Sequence, residues 1–89
     1  MIEKEIQVTN RLGLHARASA RLVQLLAGFK STVALSHRGR EINAKSIMGL
    51  MLLAAGQGCV LAARVEGPDE LDAMQAMADL FARNFDEGE

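Results

Sequence analysis

Aromatic side chains are almost missing from this chain. Tryptophan and tyrosine are absent, and the only rings besides histidine are Phe29, Phe81 and Phe85. Sheets that read single-stranded RNA stack bases on exposed aromatics, and no strand-like segment here holds one. Nucleic acid is therefore excluded as a partner. Cysteine occurs once, at Cys59, which rules out an intramolecular disulfide and any Cys-x-x-Cys metal motif. Long apolar runs are missing too. The longest, residues 47–55, falls well short of the roughly 20 residues that cross a bilayer, so no membrane insertion is expected. The opening Met1-Ile2-Glu3-Lys4-Glu5 has neither the basic region nor the apolar stretch of a secretory signal. A reducing, cytoplasmic location fits these absences.

What is present suits a small α+β protein. The 89 residues and 49% hydrophobic content suffice for one domain spanning 1–89, with a core of thin margin. The net charge of −1 hides an asymmetry. Eight of the ten Lys and Arg lie in residues 1–45, and eight of the eleven Asp and Glu follow them. The first half thus offers a positive field to a phosphate or an acidic protein face.

Ile2, Ile6 and Val8 alternate with Glu3, Glu5 and Gln7, which is strand period. Residues 9–14 break the pattern and read as a loop. From Ala16 the spacing turns helical, with Ala18, Leu22, Leu25 and Phe29 on one face and Leu26 beside them. Gly28 is the expected stop. Val33 and Leu35 mark a second strand, His37-Arg38-Gly39-Arg40 a hairpin turn, and residues 41–43 the return strand. Ser46 caps a short apolar helix that Gly56 and Gly58 end. Leu61, Ala63 and Val65 line a fourth strand. Asp69 is the expected cap of a last helix with Leu71, Met74, Ala78, Phe81 and Phe85 on its buried face. The tail, residues 86–89, is expected to fray. The order is β-α-β-β-α-β-α. Strands and helices that are each apolar on one side imply a four-stranded antiparallel sheet with three helices on one face.

Chemistry concentrates in Gly13-Leu14-His15-Ala16-Arg17. His15 lies where a loop becomes a helix. The first N–H groups of a helix lack internal partners and attract anions. That field favours the neutral, nucleophilic imidazole, and Arg17 can fold its planar fork onto phosphate oxygens. A reversible phosphate dock results, and it calls for no metal or cofactor. Spacing alone leaves open a plain helix cap with Arg17 in solvent.

A second motif removes that ambiguity. Lys45-Ser46-Ile47-Met48-Gly49-Leu50-Met51-Leu52, followed by Ala54-Ala55 and Gly58, joins the first in a chain of matching length and element order. With both motifs the chain resembles the HPr family. These are the histidine-containing phosphocarriers of the bacterial phosphoenolpyruvate-dependent sugar phosphotransferase system. The resemblance implies an open-faced β-sandwich and a carrier, not an enzyme, that forms a transient phosphohistidine. It implies phosphorylation of His15 on Nδ1 by phospho-enzyme I and onward transfer to enzyme IIA domains, with Arg17 steadying the phosphate. It also implies regulatory phosphorylation of Ser46 by HPr kinase/phosphorylase. Many members carry proline after the arginine. This chain has Ala18, which also holds a helix well.

The resemblance places the first two helices side by side. Arg17, Ala20 and Arg21 near the exposed start of one, with Ile47, Met48 and Met51 on the other, then form the partner-docking face. Leu50 and Leu53 belong to the core. Methionine adapts to several partners and arginine steers acidic ones. A monomer suffices. His37 reads as a solvated turn residue and Cys59 as a small buried hydrophobe. Regulatory relatives of the same family share the His15 chemistry. A small acyl-phosphate hydrolase would explain Arg17 but leave His15 and Ser46 without roles.

Overall fold

The computed structural model describes residues 1–87. The strands are β1 (Ile2–Gln7), β2 (Thr32–His37), β3 (Arg40–Asn43) and β4 (Val60–Glu66). The helices are α1 (Ala16–Leu26), α2 (Ile47–Leu53) and α3 (Glu70–Ala82), and a short 3-10 turn spans Asn84–Asp86. The expected order β-α-β-β-α-β-α is the observed one. The sheet runs β1-β4-β2-β3 with every pair antiparallel.

Alternation fixes which face is covered. In β4, Leu61, Ala63 and Val65 are buried while Val60, Ala62, Arg64 and Glu66 are exposed. Val33 and Leu35 of β2 and Ile6 of β1 point the same way. They join Leu22 and Leu26 of α1, Leu50 of α2 and Met77 and Phe81 of α3 in one core. The opposite face carries Glu3, Glu5, Glu41 and Arg64, with Arg64 bonded to Glu41. A sheet with one apolar face needs helices on that side only, which gives the open-faced sandwich.

Several boundaries differ from the sequence pattern. The β2–β3 hairpin turns through Arg38 at φ 53° and Gly39 at φ 80°. Two left-handed residues in a row match the twist of the flanking strands. Helix α2 ends at Leu53, before Gly56 and Gly58, because Ala54 itself takes the left-handed conformation at φ 54°. Leu71, expected on the buried face of α3, is 74% exposed. Met74 and Phe81 lie on that face as expected, and Ala73, Met77 and Leu80 complete it. The helix is apolar enough that more than one stripe fits its sequence.

Phe85 also lies off that helix, which stops at Ala82. Asn84, Phe85 and Asp86 all have positive φ, between 54° and 59°. Left-handed conformation costs an L-residue roughly 1–2 kcal/mol. Burial of Phe85, whose ring meets Phe81 edge-on at 4.7 Å, offsets part of that. Of the tail expected to fray, Asp86 and Glu87 are instead held in this turn; Gly88 and Glu89 lie outside the described residues.

Asp69 stands at the cap position of α3 but makes no side-chain cap bond. Its carboxylate accepts from the Lys30 N–H at 2.8 Å, the Ser31 N–H at 3.0 Å and the Ser31 hydroxyl. It therefore ties the start of α3 to the entry of β2. The Ser31 hydroxyl, then the Lys30 N–H, hold its carboxyl below the usual carboxylate range. A carboxyl depressed on folding stabilises the fold above its unfolded value, near 4. That stabilisation disappears as pH falls through the folded value. Thermal midpoints should therefore stay level from about pH 7 to 5 and fall below about pH 4. In Asp69→Asn that acid slope should be shallower and the neutral-pH midpoint lower. An unchanged slope would show that Asp69 titrates alike in both states.

Candidate phosphoryl-acceptor site

The loop from β1 to α1 is laid down on the 54–59 loop by backbone hydrogen bonds. Val8 N–H donates to the Cys59 carbonyl and Gly58 N–H to the Val8 carbonyl, both at 2.8 Å; Leu14 N–H reaches the Ala55 carbonyl at 3.0 Å. Gly13, at φ 64°, passes so close that a Cβ there would run into the Ala55 carbonyl oxygen and the Gly56 Cα. Asn10 is fully buried and its amide donates to the Gly13 carbonyl at 2.8 Å. The Ser19 hydroxyl donates to the Leu14 carbonyl at 3.2 Å. These bonds fix the chain on both sides of His15.

His15 is the N-cap of α1, with extended backbone at φ −74° and ψ −179°. Its Nδ1 accepts from the Arg17 N–H at 3.2 Å, and its Nε2 lies 2.6 Å from Glu87 Oε2. A backbone N–H can only donate, so Nδ1 carries the lone pair. In the neutral ring the proton is then on Nε2 and points at the Glu87 carboxylate. Glu87 also accepts from the Asn10 amide at 3.2 Å. Burial pushes the Glu87 carboxyl up, but the hydrogen bonds from Asn10 and His15 and the nearby charge of Arg21 outweigh it. The net result lies below the usual carboxylate range, so Glu87 is ionised at neutral pH.

Leu12, His15, Ala16, Arg17 and Glu87 line an open hollow of about 420 Å³. Arg17 is exposed at its rim. The His15 ring, the first residues of α1 and the Arg17 side chain therefore meet at one solvent-accessible space. That arrangement can accept a phosphoryl group and meet its charge with fixed donors.

Arg21 is placed differently from the sequence expectation. It is half-buried, and its guanidinium donates to the Phe85 carbonyl instead of standing free at the start of α1. Ala20 is half-buried. On α2, Ile47, Met48 and Met51 are exposed, Met48 by 75%, while Leu50 and Leu53 are buried as expected. Helices α1 and α2 pack against each other. Ser46 caps α2, its Oγ accepting from the Gly49 N–H at 3.1 Å. Three residues escaped the sequence reading: exposed Leu12 and Leu52, and Glu87. Leu12 was legible as a large apolar side chain in a polar loop. Glu87 gave no such signal, since it lies 72 positions from its partner His15.

Among the described residues no three His, Cys, Asp or Glu are grouped to hold a metal, and no helix is long and apolar enough to cross a membrane.

The fold and the matching family together define a class, the phosphocarrier proteins. The family described as PTS HPr component phosphorylation site matches residues 2–83. The phosphocarrier protein HPr of Xylella fastidiosa (strain Temecula1) is 59% identical over 87 residues, covering 98% of each chain. A crystal structure of HPr-C-His from Thermoanaerobacter tengcongensis superimposes with a TM-score of 0.94 at 41% identity, covering 98% of each chain. An HPr dimer from the same organism gives 0.76 at 41% identity, over 96% of this chain and 98% of that one. The chain belongs to the HPr family, the phosphocarriers of the phosphotransferase system.

Proposed function

We propose that His15 accepts a phosphoryl group on Nδ1 from phospho-enzyme I and passes it to enzyme IIA domains. The observation that carries this reading is the Nδ1 lone pair at the start of α1, bonded to the Arg17 N–H, on a ring that lines the same hollow as Arg17. On attack, the Nδ1–phosphorus bond forms as the donor's bond to phosphorus breaks, and the electron pair returns to the donor. The Arg17 N–H then turns from Nδ1 to a phosphate oxygen, and the Arg17 guanidinium takes others. The chain acts as a substrate-like carrier in the cytoplasm, with no metal or cofactor of its own. A monomer is enough, since one chain supplies His15, Arg17 and Glu87.

Partners dock on the apolar surface of Ile47, Met48 and Met51 together with Ala20 and Arg17 beside it. Arg21 belongs to that surface only through its stem, because its head is bonded to Phe85. Ser46 is the regulatory site. A phosphate there keeps a favourable place at a helix start while adding about −1.5 to −2 charge beside the docking face. Binding of partners, more than folding, is what it changes.

The test supplies enzyme I, phosphoenolpyruvate and Mg²⁺ and reads acid-labile, base-stable phosphate on the protein. No label on the wild type sinks the carrier reading. Arg17→Ala should slow labelling by about 10- to 100-fold, the worth of a lost charge-assisted hydrogen bond. Its thermal midpoint should stay close to wild type, since Arg17 is exposed. A large fall in midpoint with unchanged labelling would make Arg17 structural. With the kinase and ATP, acid-stable label should appear on wild type and not on Ser46→Ala; its absence from wild type ends the regulatory proposal for that kinase.

A further inference from the structure

The chain has five methionines, and the fold treats them in two opposite ways. Met74 and Met77 of α3 are buried in the core. Met48 and Met51 of α2 stand in solvent, 75% and 49% exposed, with Ile47 and Leu52 exposed beside them. Three positions apart, Met48 and Met51 share one side of the helix. The fifth, Met1, is exposed at the N-terminus, where its amine pairs with Glu70 at the start of α3. A thioether sulfur reacts with peroxides where they can reach it, and the product disrupts apolar contacts. The two sulfurs of α2 are therefore open to oxidation and lie on the docking face, while those of α3 are shielded.

We propose that Met48 and Met51 are oxidation sites, and that hydrogen peroxide acting on them reversibly weakens the docking of partners. This rests on the docking part of the reading above. In the step, a sulfur lone pair attacks one peroxide oxygen, the O–O bond breaks and an S–O bond forms. The sulfur-bound hydroxyl gives its proton to the departing hydroxide, which leaves as water. Methionine loses two electrons and the peroxide gains them. In the reverse direction two thiols supply the two electrons, close to a disulfide and release the oxygen as water. The sulfoxide is polar and a strong hydrogen-bond acceptor. In the unbound chain water meets it, because both side chains are exposed, so the fold loses nothing. Beneath an apolar patch of a partner the same oxygen loses its water and gains no donor, which costs binding. His15 and Arg17 hold no sulfur, so the phosphoryl chemistry itself is untouched. Cys59, the other oxidisable sulfur, is half-buried just before β4.

The test exposes the full chain to hydrogen peroxide, removes the peroxide with catalase, and then measures labelling by phospho-enzyme I. Peptide mapping by mass spectrometry should find Met48 and Met51 oxidised at least roughly tenfold faster than Met74 and Met77. KM for the oxidised chain should rise by roughly five- to twentyfold with kcat unchanged, as expected for polar groups left unpaired under a partner. The thermal midpoint should not move. Methionine sulfoxide reductases for both sulfur epimers, with a dithiol, should restore the original KM. In Met48→Leu/Met51→Leu, which keeps Met1 and Cys59, the KM after peroxide should equal that variant's own KM before it. An unchanged KM in oxidised wild type would overturn the proposal. So would a loss in kcat, a loss the reductases do not reverse, or an equal rise in the double leucine variant, which would assign the damage to Met1 or Cys59. Untreated Met48→Gln/Met51→Gln tests the docking reading by itself: an unchanged KM there would show that enzyme I does not use this face. Failure of the carrier reading is different again, with no label on the untreated wild type.

Discussion

His15→Ala should take no phosphoryl group at all while remaining folded. The other histidine cannot substitute. His37 ends β2 beside Arg38 and pairs with Arg40 across the hairpin, with no helix start beneath it. The fold should survive because the His15 ring is partly exposed and lies outside the core cluster. Two local losses remain. Alanine at the N-cap position removes the bond from the Arg17 N–H, worth about 1 kcal/mol. It also leaves Glu87 without its Nε2 partner. In a domain of this size the first loss alone lowers the thermal midpoint by roughly 4–8 °C. The measurement pairs an enzyme I labelling assay with a thermal melt. Residual acid-labile label at the wild-type level would place the phosphate elsewhere.

Gly13→Ala should be among the most damaging single substitutions in the loop. Two penalties coincide there. The residue sits at φ 64°, and a Cβ would collide with backbone atoms of Ala55 and Gly56, which have no rotamer to change. The loop must lift off the 54–59 segment, breaking the bond from Leu14 N–H to the Ala55 carbonyl. A destabilisation of about 2–4 kcal/mol is expected. Because Gly13 is two residues from His15, transfer should also slow in the molecules that stay folded. Gly39→Ala provides the control. Gly39 has φ 80° but nothing within 4 Å of its missing Cβ, so only the backbone penalty applies, about 1 kcal/mol. Urea unfolding of both variants separates the two terms. Equal losses would mean that the Gly13 contact contributes nothing.

The parts of this molecule readable in its sequence are those determined by near neighbours. Alternation placed β1 and β4 because each covers its sheet face with every second residue. The Ser46 cap was legible because its acceptor and donor are three positions apart. The His15-x-Arg17 pair was legible as a candidate for the same reason, and the motif around Ser46 raised it to a family resemblance. What escaped depends on contacts across the fold. Asp69 reads as the cap of α3, yet its carboxylate serves Lys30 and Ser31, 39 and 38 positions away. Ala54 ends α2 in a conformation its residue type does not advertise, with two glycines close behind to mislead. Leu71 misled because α3 has apolar residues on more than one side. Glu87 reads as part of a fraying tail by its position near the end, and the burial of Phe85 reverses that.

The most direct measurement is the site of the phosphorus–nitrogen bond in the phosphorylated protein. Histidine-labelled ¹⁵N protein, charged with phosphoenolpyruvate and enzyme I, should show one-bond phosphorus coupling at Nδ1 of His15, with the proton on Nε2 and its partner Glu87. Phosphorus on Nε2, or on any residue other than His15, would contradict the geometry that puts the Nδ1 lone pair at the helix start.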